Sequence, residues 1–281
     1  MPTVHPSSVI ETGAELGDDV VVGPFCHVGP QVRIGAGTRL IGSVTILGRT
    51  TLGKENTIWP QAVLGGDPQD LKYKGEDSEL VIGDHNVIRE AVTLHKGTAN
   101  DHAVTRIGDH NLIMAYVHVG HDCVIGSHTV IANAVQFAGH VHVQDHAALG
   151  GATAVHHYVT IGQYAYAGGM TRVATDVPPF MLVEGNPARV RKVNTTLLTR
   201  HNFPEEQVNH LKDAYRRLFR VTDDDATIGN TAETLESLDA DFGDDWAIRA
   251  LVEAIRNSTS GIFGRYRESQ RLDNRYTNPV K

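Results

Sequence analysis

The chain has 281 residues and a formal net charge of −8 at pH 7, a balance that argues against a nucleic-acid binder. Its two cysteines, Cys26 and Cys123, indicate neither a disulfide framework nor a cysteine zinc site. The opening MPTVHPSS lacks the basic and apolar segments of a signal peptide, and no run approaches membrane-spanning length, so a cytoplasmic protein with no integral membrane segment is expected.

From the N-terminus the dominant signal is a hexad. An aliphatic residue recurs every six positions at Val4, Ile10, Leu16, Val22 and onward to Leu64. It resumes in phase at Ile82, Ile88 and Leu94, slips by one residue, and runs again from Ile107 to Val173. A helix requires a period near 3.6 and an ordinary strand a period of 2, so neither explains the register. Hexapeptide repeats are the mark of a β-solenoid. Each hexad makes one short strand and a corner, and three hexads close a triangular coil of 18 residues. One coil alone cannot bury its apolar residues; coils stacked roughly 4.8 Å apart line them up as a continuous core. A glycine often follows the aliphatic residue (Gly17, Gly23, Gly29, Gly108, Gly126). It is expected to give the corner backbone angles that a β-carbon disfavours. Both cysteines fall in repeat coils and read as core thiols rather than nucleophiles.

Two segments interrupt the solenoid. The first, Gly65–Glu79, is expected to replace one full turn of hexads; the second, His95–Arg106, causes the slip. Loops ejected from a rigid scaffold do not help its core, so both read as functional. The turn-rich DVPPF and GNP segments end the solenoid. The domains expected are a parallel β-helix over 1–190 and a small α-helical domain over 191–281. Within the latter, Pro204 opens a helix whose residues Val208, Leu211, Tyr215, Leu218 and Phe219 share a face. A second helix follows Asp244–Asp245, with Ala247, Ala250, Leu251, Ala254 and Ile255 inward. DDDATIGNT between them reads as a loop. Arg189–Arg220 holds eight bases against three acids, a net of +5, and Val221 to the end holds twelve acids against seven bases. A basic stretch in an acidic chain suggests an anionic ligand or partner.

The 18-residue coil sorts the 16 histidines. His110, His128 and His146 form one column; without an acid or cysteine beside them they read as a solvated ladder rather than a metal site. His121, Gly139 and His157 form another, with Asp122, His140 and Tyr158 next to them and His118 and His156 flanking. An imidazole there can take a proton from a substrate hydroxyl, a neighbouring carboxylate can orient it, and a glycine amide can face an oxyanion.

Several motifs carry a resemblance: PQDLKYKGE (Pro68–Glu76), IREAVTLHKGT (Ile88–Thr98), NLIMAYVHVGHDC (Asn111–Cys123), FAGHV (Phe137–Val141), GGATAVH (Gly150–His156), DVPPF followed by GNPA, and RNSTSG (Arg256–Gly261). Over nearly its whole length the chain resembles the acyl-[acyl-carrier-protein]–UDP-N-acetylglucosamine O-acyltransferases, which begin lipid A biosynthesis. The resemblance implies an all-β fold, a left-handed parallel β-helix followed by a small C-terminal α-helical domain. It also implies transfer of a 3-hydroxyacyl group from acyl carrier protein to the 3-hydroxyl of UDP-N-acetylglucosamine, with no cofactor and no metal. His121 matches the family's general base, Asp122 its orienting partner and Gly139 the oxyanion donor. Gln69, Asp70 and Lys72 match substrate contacts in the first loop. His118, His140 and His156 match residues that bind the nucleotide sugar and the acyl chain, and Asn194 and Arg200 match nucleotide contacts. His157, Thr196 and His201 depart from the commonest family residues at their positions. Gly169 matches the position that limits acyl length, where glycine leaves room for a long chain and a methionine is expected to shift preference to shorter ones. The family is a homotrimer with sites between subunits, and its acidic carrier-protein donor gives the basic stretch a partner. The alternatives are another hexapeptide transferase, above all the N-acyltransferase of the same pathway, and a γ-type carbonic anhydrase holding zinc through His118, His121 and His140.

Overall fold

The computed structural model describes residues 1–99, 101–219 and 231–271. Among the described residues the hexads form strands of mostly two residues that stack in parallel into three sheets of 11, 9 and 8 strands, the last strand of the largest being antiparallel. The result is a left-handed parallel β-helix of triangular section. Val4 pairs with Val22 and Val22 with Leu40, which is the 18-residue coil. From Val22 onward the aliphatic position of the hexads points inward: Ile46, Ile58, Leu64, Ile88, Leu94 and Ile131 are all fully buried.

Ile58 pairs with Ile88, and Ile88 with Ile113, spacings of 30 and 25 residues. The first insertion therefore adds 12 residues to one coil and does not stand in for a whole coil, correcting the sequence expectation. Strands Val63–Gly66 and Glu79–Ile82 clamp its two ends. The second insertion adds seven, a hexad plus the odd residue that breaks the phase.

The role expected of the glycines also needs correction. None of Gly17, Gly23, Gly29, Gly108 and Gly126 has a left-handed backbone. The left-handed residue comes three places after the aliphatic one and is mostly not glycine, as at Asp122 (φ 59°), His128 (58°), His140 (64°) and Tyr158 (63°). What excludes a side chain after the aliphatic residue is the closeness of the next coil. A β-carbon on Gly23 would lie 2.1 Å from the Ile41 carbonyl oxygen. At most of the solenoid corners the strain of the left-handed residue is met by a hydrogen bond from its amide to the preceding coil, as from His140 N–H to the His121 carbonyl at 2.9 Å.

The sheet continues beyond the expected boundary. Met181–Glu184 pairs antiparallel with Arg189–Val193, and this hairpin ends the solenoid. Among the described residues four α-helices follow: α1 (Thr195–Arg200), α2 (Glu205–Leu218), α3 (Thr231–Phe242) and α4 (Trp246–Ser260). α2 buries Val208, Leu211, Ala214 and Leu218, and α4 buries Ala247, Ile248, Leu251, Val252 and Ile255. Together with Phe180, Met181 and Val193 they form a second core against the end of the solenoid. Asp245 starts α4 by accepting the Ala247 amide at 2.9 Å and holds α2 by a 2.9 Å bond with His210 Nδ1. Helices α1 and α3 were not expected from the sequence. The predicted loop over 223–231 lies outside the described residues except Thr231, which begins α3.

Candidate active site

The corner after strand His118–Val119 carries His121 and Asp122. The left-handed backbone at Asp122 turns its side chain inward, where it is 1% exposed. Burial of a carboxyl requires hydrogen-bond donors, and the second insertion provides them. Thr98 gives its backbone N–H to Oδ1 at 2.8 Å and its hydroxyl to Oδ2 at 2.7 Å. Asp122 N–H, which in a plain coil would reach the preceding corner's carbonyl, donates instead to Thr105 Oγ1 at 2.8 Å. The third donor to the carboxyl is His121, whose Nδ1 lies 2.8 Å from Oδ2. An imidazole that gives its Nδ1 proton to a carboxylate presents a bare Nε2 lone pair, the arrangement of a general base.

One coil later Gly139 lies directly under that ring. A β-carbon there would sit 2.6 Å from both Cε1 and Nε2 of His121. Among the described residues the Gly139 amide donates to no group of the chain, so it is available to a developing oxyanion. Gly139→Ala is expected to push the imidazole off Asp122 and lower kcat by about 100-fold, with little change in thermal midpoint. Steady-state turnover beside a melting curve checks this; a variant with undiminished kcat contradicts it.

His140 pairs with a residue that sequence reasoning missed. Its Nδ1 lies 2.8 Å from Asp101 Oδ2, and its Nε2 lies 3.9 Å from Asp122 Oδ2. Its ring stacks on Tyr158 at 4.3 Å and meets His121 edge-on at 4.9 Å. The hydrogen bond from His140 holds the Asp101 carboxyl below its usual range. His121, His140 and Tyr158 open on a cavity of about 450 Å³. Its wall includes Gln69, Asp70 and Lys72 from the first insertion, and His121, Gly139, His140 and His157 from the corner. The two insertions are also tied to each other, since Lys96 Nζ lies 3.0 Å from Asp67 Oδ1 and holds that carboxyl below its usual range.

Burial, with His156 close by, pushes the His157 imidazole down to about 4, so it lines the cavity as a neutral ring. His156 and His118 do not line it. His156 Nδ1 lies 3.1 Å from the His157 carbonyl. His118 Nδ1 lies 2.9 Å from Thr93 Oγ1, and burial and then His95 lower its basicity. Gly169 lies on another corner of the prism, on an exposed turn where a β-carbon would meet Gly151 O at 3.3 Å.

Asn194 and Arg200 are also elsewhere. Asn194 is buried, caps α1 and donates from Nδ2 to the Tyr164 carbonyl at 2.9 Å; Arg200 is exposed in the last turn of α1. Both belong to the corner of the other histidine column. That column holds more rings than expected: His85, His110, His128, His146 and Tyr164 stack at centroid distances of 4.6–4.9 Å, and His201 packs edge-on against His146. His85 escaped the 18-residue test because the second insertion places it 25 residues before His110.

Three further expectations are settled by contacts. Cys26 and Cys123 are free and buried, and burial pushes the Cys123 thiol up to about 12, which removes it as a nucleophile. The basic stretch is not one open patch, because Arg216 and Arg217 pair with Asp213, and Arg217 also with Asp241. Within one chain the zinc trio His118, His121 and His140 does not converge. The atoms that converge within 4.8 Å belong to His121, Asp122 and His140, and both Asp122 oxygens already accept protein donors.

A hexad-built prism defines a hexapeptide-repeat protein, and residues 105–139 match the family model described as bacterial transferase hexapeptide (six repeats). Residues 176–263 match that described as domain 2 of UDP N-acetylglucosamine O-acyltransferase. The chain is 44% identical over 263 residues to the acyl-[acyl-carrier-protein]–UDP-N-acetylglucosamine O-acyltransferase of Pseudomonas savastanoi, covering 94% of this chain and 100% of that protein. It is 50% identical over 220 residues to the enzyme of the same name from Verminephrobacter eiseniae, covering 78% and 84%. Among solved structures, the UDP-N-acetylglucosamine acyltransferase LpxA of Bacteroides fragilis superposes with a TM-score of 0.86 at 33% identity, over 91% of this chain and 97% of that one. The chain belongs to the acyl-[acyl-carrier-protein]–UDP-N-acetylglucosamine O-acyltransferase family, which sets aside the N-acyltransferase and carbonic anhydrase readings.

Proposed function

We propose that this chain transfers a 3-hydroxyacyl group from acyl carrier protein to the 3-hydroxyl of UDP-N-acetylglucosamine, the first step of lipid A biosynthesis. The observation that carries the reading is the His121–Asp122 pair facing Gly139 in the cavity, within a chain of this family. His121 Nε2 takes the proton of the sugar hydroxyl as its oxygen attacks the thioester carbonyl carbon. The oxyanion of the tetrahedral intermediate faces the Gly139 amide. The carbon–sulfur bond then breaks, and the leaving thiolate takes the proton back from the His121 imidazolium. Asp122 holds the ring in the required tautomer and balances its transient charge. Lys72 and Gln69 line the same cavity, where they can bind the polar parts of the substrates.

Asn194 and Arg200 lie on a different corner from His121, which supports a homotrimer in whose clefts one chain's helical domain completes a neighbour's site. The open surface at Gly169 supports a long acyl chain. Among the described residues no helix is long and apolar enough to cross a membrane, and a cytoplasmic location suits a carrier-protein donor and a sugar nucleotide. A panel of 3-hydroxyacyl carrier proteins of rising chain length, offered with UDP-N-acetylglucosamine or its 3-amino analogue, tests the reading. The expected product is the 3-O-ester, formed fastest from the long donors. No product from any donor overturns it.

A further inference from the structure

The match to the family's second domain stops at residue 263, yet the chain continues and turns back along the solenoid to the site just described. Gly264, in the left-handed region (φ 71°), makes the turn, and its carbonyl accepts Asp176 N–H at 2.8 Å. Arg265 Nη1 donates to the Ala174 carbonyl at 2.7 Å, and Tyr266 N–H donates to Asp176 Oδ2 at 2.9 Å. Arg265 and Glu268, 6% and 2% exposed, form an ion pair within the segment. A buried pair is tolerated only when its remaining polar atoms are engaged; here Glu268 also faces His157 Nε2 at 3.5 Å and Arg271 at 3.8 Å. The strap is thus held on the solenoid before its short turn, Arg267–Gln270, by Gly264, Arg265 and Tyr266, and after it by the Arg271 guanidinium over the Tyr158 ring at 5.0 Å.

Between those anchors Arg267 reaches the second histidine–carboxylate pair of the site. Its guanidinium donates to the His140 backbone carbonyl and lies 3.9 Å from Asp101 Oδ2, the oxygen that receives His140 Nδ1. A planar fork of fixed donors can hold a carbonyl and face a carboxylate at once, which a single ammonium does less well. We propose that Arg267, contributed from beyond the family's helical domain, is a positioning residue for acyl transfer: it fixes Asp101 and the His140 backbone so that the imidazole keeps its place beside His121. The inference rests on the reading that the His121–His140 corner performs the transfer.

The test is a double-mutant cycle on the full-length chain, with kcat, KM and thermal midpoint read for each variant. Arg267→Met keeps the aliphatic stem and its packing while removing the guanidinium. It is expected to lower kcat by about tenfold or more, with KM for UDP-N-acetylglucosamine and the midpoint nearly unchanged. Asp101→Ala is expected to lower kcat similarly, and the double variant to be no worse than Asp101→Ala alone, because both act through one group. Ser269→Ala, which loses only a hydroxyl bonded to the Tyr266 carbonyl, should behave as the parent. Wild-type kcat in Arg267→Met, or losses that multiply in the double variant, overturn the proposal. His140→Ala separates the two levels. If it keeps full turnover, the reading of the site itself fails. If it loses turnover while Arg267→Met does not, only the role of Arg267 fails.

Discussion

His121→Ala is expected to abolish measurable acyl transfer while leaving a folded protein, destabilised only by the loss of one of the three donors to Asp122. The imidazole is the one group in the cavity whose Nδ1 is engaged by a buried carboxylate and whose Nε2 faces a bare glycine. A sugar hydroxyl attacks a thioester slowly unless its proton leaves as the new bond forms, and a positioned base contributes about 10²–10⁴-fold to such a step. Removing the ring also removes the surface against which the hydroxyl is aligned, so the loss should fall at or above the upper end of that range. The side chain is only 14% exposed and sits on a corner rather than in the apolar core. Its truncation leaves the stacked coils intact. Turnover with saturating donor and acceptor, beside circular dichroism and a melting curve, checks both halves. A folded variant with retained turnover excludes His121 as the base.

Asp122→Ala is the second large effect, and it strikes stability as well as rate. It leaves the Thr98 N–H, the Thr98 hydroxyl and His121 Nδ1 without their acceptor at a buried position. Each unsatisfied buried donor costs about 1–3 kcal/mol, so a net loss of about 3 kcal/mol after partial relaxation is expected in chemical unfolding. Asp122→Asn separates the two consequences. Its carbonyl can accept the Thr98 amide, but its NH₂ then faces His121 and favours the tautomer with the proton on Nε2. Such a ring cannot accept a proton from the substrate. The asparagine variant should therefore unfold near the parent yet lose about 10²–10⁴-fold in kcat. An asparagine variant with near-parental turnover contradicts the orienting role.

What the sequence revealed and what it concealed follow from the geometry of the coil. A period of 18 made every position in the solenoid addressable, so Asp122, His140 and Tyr158 could be aligned before any coordinates. His140 and Tyr158 are indeed stacked. The ruler failed where residues leave the coil. Asp101, Thr98 and Thr105 lie in or beside the second insertion, where no period relates them to Asp122 and His140. Arg267 is 127 residues from His140 in the chain, and no local pattern marks a strap that returns across the fold. The glycines were read for their dihedral freedom, when the constraint was the nearness of the next coil, a property that only stacked coils display. Asn194 and Arg200 could be placed at the start of the helical domain, but a single chain's sequence does not say which corner of which subunit they serve.

In the proposed reaction transfer is direct: the sugar oxygen attacks the thioester with His121 as base, and no group of the protein is acylated on the way. The buried Cys123, with its thiol pushed up to about 12, offers no nucleophile, and a neutral hydroxyl attack assisted by a base requires both substrates to be bound together. The most direct measurement is a single-turnover reaction with active sites in slight excess over 3-hydroxyacyl carrier protein, following thioester loss, 3-O-acyl product and the intact mass of the protein. The expected result is one product formed per thioester lost, no thioester loss without UDP-N-acetylglucosamine, and a protein mass that never changes. An acylated protein chain, or thioester cleavage in the absence of the acceptor, would contradict it.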